Sequence, residues 1–105
     1  MSTNILELQR VAKEYIIHFL RENKHLFSTK YHIDKIGLFG SYARDEATEK
    51  SDIDLVIETS YKNFRNRHAL IRFFEEKFHK PIDLGYLDSL HPFIRKEIEK
   101  EVIFV

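Results

Sequence analysis

Apolar side chains fall at helical spacing over residues 4 to about 23. Ile5, Leu8, Ala12, Tyr15, Ile16, Phe19 and Leu20 share one stripe, and Glu7, Arg10, Lys13, Glu14 and Arg21 line the other face. Asn4 with Glu7 three residues on has the form of a capping box, so the pattern predicts an amphipathic helix with a marked start and a solvated outer face. A polar link follows. Residues 33–39 form a short apolar run, read as a strand, that ends at Gly40-Ser41, where Ser41 can cap a short helix through about Ala47. Residues 48–51 are turn-like, and Ile53–Glu58 is β-branched and apolar as in a buried strand. After a polar stretch over 59–63, helical spacing returns over Phe64–Phe78 with Ala69, Leu70, Phe73, Phe74 and Phe78 as its core face. Pro81 stops that helix, residues 82–87 read as a third strand, and Pro92 sits in the first turn of a last helix reaching about Glu101. Residues 102–105 are apolar and read as a short edge strand.

The order helix, strand, short helix, strand, helix, strand, helix predicts an α/β layer, a small sheet covered by helices. Short links around the second strand allow an antiparallel pair, so a wholly parallel sheet is not implied. No linker or composition break divides the 105 residues, and a single domain over 1–105 is expected. Nine Phe and an apolar fraction of 43% supply a core. Lys+Arg and Asp+Glu balance at 17 each, so no net field draws the chain to a membrane or to nucleic acid, and neither is expected as a direct partner. Without cysteine, disulfides, thiolate catalysis and Cys-based zinc sites are excluded, which suits a cytoplasmic location. The N-terminus MSTNILELQR carries early charge and does not read as a secretory signal, and no run approaches the roughly 20 apolar residues of a membrane span.

Chemistry concentrates in Gly40 to Glu58, GSYARDEATEKSDIDLVIE. Asp52 and Asp54 stand at i and i+2, so in a strand their carboxylates share a face. Two anions held that close repel unless a cation lies between them, and a hard divalent ion such as magnesium is the natural one. Read alone, the pair is an ordinary turn feature. Gly40-Ser41 stands eleven residues before Asp52 at a strand-to-helix junction, where free backbone N–H groups, the Ser41 hydroxyl and the helix dipole suit a phosphate. Read alone, it is a helix cap. Asp83 is a charge within the apolar run Ile82-Asp83-Leu84, costly if unpaired, so it should face either a metal site or a basic side chain. Taken together, three carboxylates and an anion cradle match two-metal phosphoryl or nucleotidyl transfer.

Gly40-Ser41, ten residues, then Asp52-x-Asp54 resembles the signature of the DNA polymerase β-like nucleotidyltransferases. The whole segment, with Asp83 in PIDLGYL and the closing HPFIRKEIEKEVIF, is similar to the minimal nucleotidyltransferases of prokaryotes. The resemblance implies an α/β (α+β) nucleotidyltransferase fold, a small mixed sheet flanked by about four helices, with Mg2+, two ions, as cofactor and ATP as donor. It implies that Ser41 contacts the donor phosphates, that Asp52 and Asp54 bind metal, and that Asp83 completes the triad as a base toward the attacking hydroxyl. Asp45 departs from the pattern, where the family has Gly after Ala-Arg; Asp tolerates the backbone angles but adds a negative charge near the phosphates. Arg44 can offset phosphate charge, or pair with Glu46, Glu49 or a site Asp.

The six His show no i, i+4 pair of the kind that binds zinc on a helix, and the basic stretch over 62–72 reads as a solvated helix face. The chain is short for an enzyme binding donor and acceptor, so the acceptor is expected to bring its own surface and to be a protein. The resemblance points to toxin–antitoxin pairs in which such a module transfers AMP from ATP to a tyrosine of a HEPN ribonuclease toxin. Two further readings are a binding module that neutralises its partner by occlusion, and transfer to a small molecule of aminoglycoside type. The stripe of the first helix can cover its own sheet or join copies in a homo-oligomer, and both bury the same residues.

Overall fold

The computed structural model describes residues 4–105; Met1 to Thr3 of the stretch read above for a secretory signal lie outside the described residues. Helix α1 spans Ile5–Glu22, and the Asn4 side chain caps it by accepting from the Glu7 N–H at 2.9 Å. Asn23 ends it, its side-chain amide donating to the Phe19 carbonyl at 2.9 Å. The next segment, expected as a polar link, is a second helix, α2 (Lys24–Tyr31). Its buried anchors are only Phe27 and Tyr31, one turn apart, too few to declare a period in the sequence.

Strand β1 (Lys35–Phe39) leads into a four-residue helix α3 (Gly40–Ala43), shorter than the expected run to Ala47. Strand β2 (Ile53–Glu58), helix α4 (Phe64–Phe78) and strand β3 (Ile82–Tyr86) follow; a 3-10 turn at Leu87–Ser89 precedes helix α5 (Pro92–Glu99) and strand β4 (Ile103–Phe104). Asn63 caps α4 by accepting from the Asn66 N–H at 3.0 Å. Both α2 and α4 stop on a histidine in the left-handed region, His32 at φ 58° and His79 at φ 53°. The sheet is mixed, in the order β3-β2-β1-β4, with β2 and β3 parallel and the other pairs antiparallel. The expected edge strand is present as β4, and five helices accompany the sheet rather than about four because α2 adds one.

The main core fills one face. Ile36, Leu38, Ile53, Leu55, Ile57 and Leu84 from the strands meet Ile16, Ile17 and Leu20 of α1, Phe27 of α2, and Leu70 and Phe74 of α4. Phe74 lies 5.3 Å centroid to centroid from Phe27 and 5.9 Å from Phe78, so an aromatic cluster ties α2 to α4. Ala69, expected on this face, is exposed. The α1 stripe also divides: Ile16 and Leu20 are buried, whereas Ile5, Leu8, Val11 and Tyr15 are each more than half exposed. Leu8, Val11 and Tyr15 border an open groove with Tyr42, Phe78 and Lys80. On the other face, Gly37 and Gly85 flank the sealed Val56 in one cross-strand row. A Cβ on Gly37 would come within 2.7 Å of Val102 Cγ2 and 2.8 Å of Phe104 Cδ1, so only glycine lets the chain's last segment lie this close.

No described helix is long and apolar enough to cross a membrane. Phe74→Ala should cost about 3–5 kcal/mol of unfolding free energy, measured by chemical denaturation, because it empties the centre of the aromatic cluster.

Candidate active site

Strand pairing assembles the site. Because β1 and β2 run antiparallel, the end of one lies beside the start of the other, and Phe39 stands opposite Asp54. Because β2 and β3 run parallel, Asp54 stands opposite Asp83. Gly40 follows Phe39 at φ 76°, and a Cβ there would lie 2.1 Å from Asp54 Oδ2 and 2.8 Å from Asp54 Cγ. The backbone at Gly40 therefore touches the Asp54 carboxylate, and the cradle and the carboxylates expected from the sequence form one site. Asp52 lies just before β2 and is exposed, Asp54 is half-buried and Asp83 is exposed. Exposure removes the burial cost expected for Asp83; it is Asp54 that bears it.

Ser41 is half-buried inside α3 and does not cap it; the capping position is Phe39. A helix of four residues carries little dipole, so the cradle consists of first-turn N–H groups and the Ser41 hydroxyl.

Burial raises the pKa of Asp54 from 3.8 to about 6, and the charges of Asp83 and Asp52 push the same way. Arg44 opposes them. Among the described residues, no Lys, Arg or His forms an ion pair with Asp52, Asp54 or Asp83. Asp52 and Asp83 stand close enough to disfavour the charge on Asp54, an arrangement a divalent cation would relieve. Among the described residues no three such groups converge into a finished metal cage. Asp52, Asp54 and Asp83 nonetheless offer acceptor-only oxygen ligands, the type a hard divalent cation takes.

Arg44 forms the ion pair expected with Glu46, at 3.1 Å, and one that was not expected, with Glu101 at 2.6 Å. Asp45 adopts φ 58°, in the left-handed region that favours glycine, and its Oδ2 meets Lys13 Nζ at 2.8 Å. Lys13, read as solvated, thus neutralises the charge that Asp45 adds; Asp45 Oδ1 is buried without a partner. Gln9 donates to the Ala47 carbonyl at 3.0 Å, and Lys80 donates to the carbonyls of Thr48 and Glu49, so α1 and the approach to β3 both hold the loop that leads to Asp52. Sequence spacing carries no signal for these ties, which join residues 31 to 57 positions apart. Arg67, also read as solvated, is half-buried; it donates to the Leu84 carbonyl and rests over Tyr86.

The family described as nucleotidyltransferase domain matches residues 16–105. The chain is 39% identical over 94 residues to a presumed protein adenylyltransferase of Methanocaldococcus jannaschii, covering 86% of this chain and 94% of that one. It is 32% identical over 98 residues to the protein adenylyltransferase MntA of Thermococcus cleftensis, covering 88% and 94%. Among solved structures it resembles a toxin–antitoxin structure with AMP-PNP, at a TM-score of 0.65 and 22% identity over 88% of this chain and 70% of that one. A complex of tri-AMPylated Shewanella oneidensis HEPN toxin with its MNT antitoxin gives a TM-score of 0.58 and 22% identity over 91% and 70%. At these identities the structural likenesses establish the fold. The chain belongs to the nucleotidyltransferase domain family.

Two outcomes follow for the metal-free protein. The folded pKa of Asp54 lies above its unfolded value, so its contribution to stability is full below about pH 4 and is lost as pH rises through about 6. Asp54→Asn should therefore raise the melting temperature by a few degrees at pH 7.5, with the gain gone near pH 4, as read by calorimetry across pH. Gly40→Ala should displace the Asp54 side chain and strain the backbone by about 1–2 kcal/mol, lowering the melting temperature read by calorimetry.

Proposed function

We propose that this nucleotidyltransferase-family protein transfers AMP from ATP to a hydroxyl of a protein acceptor, a tyrosine of a HEPN-type toxin, and acts in the cytoplasm as that toxin's antitoxin. The observation that carries the reading is the close approach of the Gly40 backbone to Asp54 together with the pairing of Asp54 with Asp83, which supports a phosphate cradle beside paired carboxylates. The protein adenylyltransferase names of its relatives and its likeness to antitoxins in toxin complexes support the choice of acceptor. One catalytic module over 1–105 serves both substrates in this reading.

In this chemistry the N–H groups at Gly40 and Ser41 and the Ser41 hydroxyl hold donor phosphate oxygens. Asp52 and Asp54 would hold Mg2+, with Asp83 contributing to the second ion. When bound, the metal neutralises phosphate charge and acidifies the attacking hydroxyl. Asp83, exposed at the strand's open face, accepts the proton of the acceptor tyrosine as its oxygen bonds to the α-phosphorus. The bond to the β-phosphate oxygen breaks, and pyrophosphate leaves with its electron pair. Arg44 offsets charge on the phosphates.

A second reading, neutralisation by binding alone, draws support from the exposed apolar half of α1. Its other motive, the charge of Asp45, is weakened by the Lys13 pair. Incubation with labelled ATP, magnesium and a co-encoded HEPN protein separates the two. Label should move to a toxin tyrosine and be lost with Asp52→Asn and Asp54→Asn. Absence of transfer, with a complex that survives the triple Asp→Asn variant, would establish occlusion instead.

A further inference from the structure

The turn after the cradle carries an ion pair whose acidic partner, Glu101, has no part in the transfer chemistry above. Arg44 closes α3, its N–H donating to the Gly40 carbonyl at 3.1 Å. Its guanidinium donates from Nε to Glu46 Oε2 at 3.1 Å and from Nη1 to Glu101 Oε2 at 2.6 Å. The two acceptors are unequal. Glu46 is a near neighbour in sequence, and its side chain is 64% exposed, so water and salt compete for it. The Glu101 side chain is 23% exposed and makes the shorter bond. It is Glu101 that decides where the guanidinium stands.

Glu101 is itself fixed. Its N–H donates to the Ile98 carbonyl at 3.0 Å at the end of α5, and the next residue, Val102, does the same at 2.8 Å. Val102 packs against Gly37, and β4 then pairs with β1, the strand that runs into Gly40. The anchor and the cradle thus hang on the same pair of strands. Arg44 follows Ser41 by three residues and its N–H donates to the Gly40 carbonyl, so its side chain leaves from the end of the same turn that carries the cradle.

A guanidinium has five N–H donors in a rigid fork. Two are engaged here, which leaves three for an incoming oxygen, and Arg44 need not release Glu101 to meet one. We propose that Glu101 is a positioning residue for the donor nucleotide: acting through Arg44, it holds the guanidinium fork beside Gly40 and Ser41 with donors free for a triphosphate oxygen. The inference rests on the nucleotidyl-transfer reading above. It assigns the closing segment of the chain a part in donor binding.

The test is equilibrium binding of a non-hydrolysable ATP analogue with magnesium, by calorimetry, beside the ATP KM and kcat of transfer. Glu101→Gln should weaken analogue binding and raise KM on the order of three- to tenfold, with kcat within about twofold and an essentially unchanged melting temperature. Glu101→Asp should recover part of the loss. Arg44→Ala with Glu101→Gln should bind no more weakly than Arg44→Ala alone, since Glu101 acts only through Arg44. Unchanged binding by Glu101→Gln overturns the proposal, as do additive losses in the double variant or a fall in kcat and melting temperature with binding intact. Tighter binding overturns it too, because the pair would then withhold Arg44 from the nucleotide. A wild-type protein that binds no analogue would overturn the nucleotidyl-transfer reading beneath it, an outcome told apart before any variant is compared.

Discussion

Asp54 is the residue around which the structure is arranged. Its carboxylate is pressed against the backbone of Gly40, stands level with Asp83 across a parallel strand pair, and follows Asp52 by two residues. Burial and like charge both oppose its ionisation. A fold holds such a group only where the rest of the sheet leaves no other position for it. The register does this: Leu55 and Ile57 on the same strand are sealed in the main core, so sliding β2 by one residue would turn them to the opposite face and send Asp54 into that core.

Two glycines make the arrangement fit. Gly40 admits the carboxylate and takes a backbone angle that side chains resist. Gly37, three residues earlier, makes room for Val102 and Phe104 and so lets β4 close on β1. The strand that delivers the cradle is thereby flanked on both edges, and the open face of the sheet is left to the carboxylates.

Much of this was legible in the sequence because it is local. Its β-branched, apolar composition identified β2, the Asn4 capping box marked the start of α1, and the Gly-Ser to Asp-x-Asp spacing picked out residues that strand pairing brings together. The short link after β1 also allowed the antiparallel pairing that the sheet displays. What escaped was either too short to show a period or set by distant contacts. Helix α2 has two buried anchors, and Ala69 faces outward although its neighbour Leu70 is sealed. Lys13, Arg67 and Glu101 look like ordinary surface charges until the fold supplies Asp45, the Leu84 carbonyl and Arg44. The end of α4 at Phe78 matches the reading, but the left-handed conformation of His32 and His79 gave no signal, since such termini are usually sought at glycine or asparagine.

The ten residues between Ser41 and Asp52 are gripped in an uneven way. At positions 47, 48 and 49 the grip falls on carbonyl oxygens, which every amino acid carries, from Gln9 and Lys80. The side chains of Glu49 and Lys50 are exposed and form no bonds of their own within the fold. Mutational drift at 49 and 50 should thus be nearly silent, whereas adding or dropping a residue would move the gripped carbonyls out of reach. At 49 and 50 the fold fixes the loop's length more tightly than its side chains.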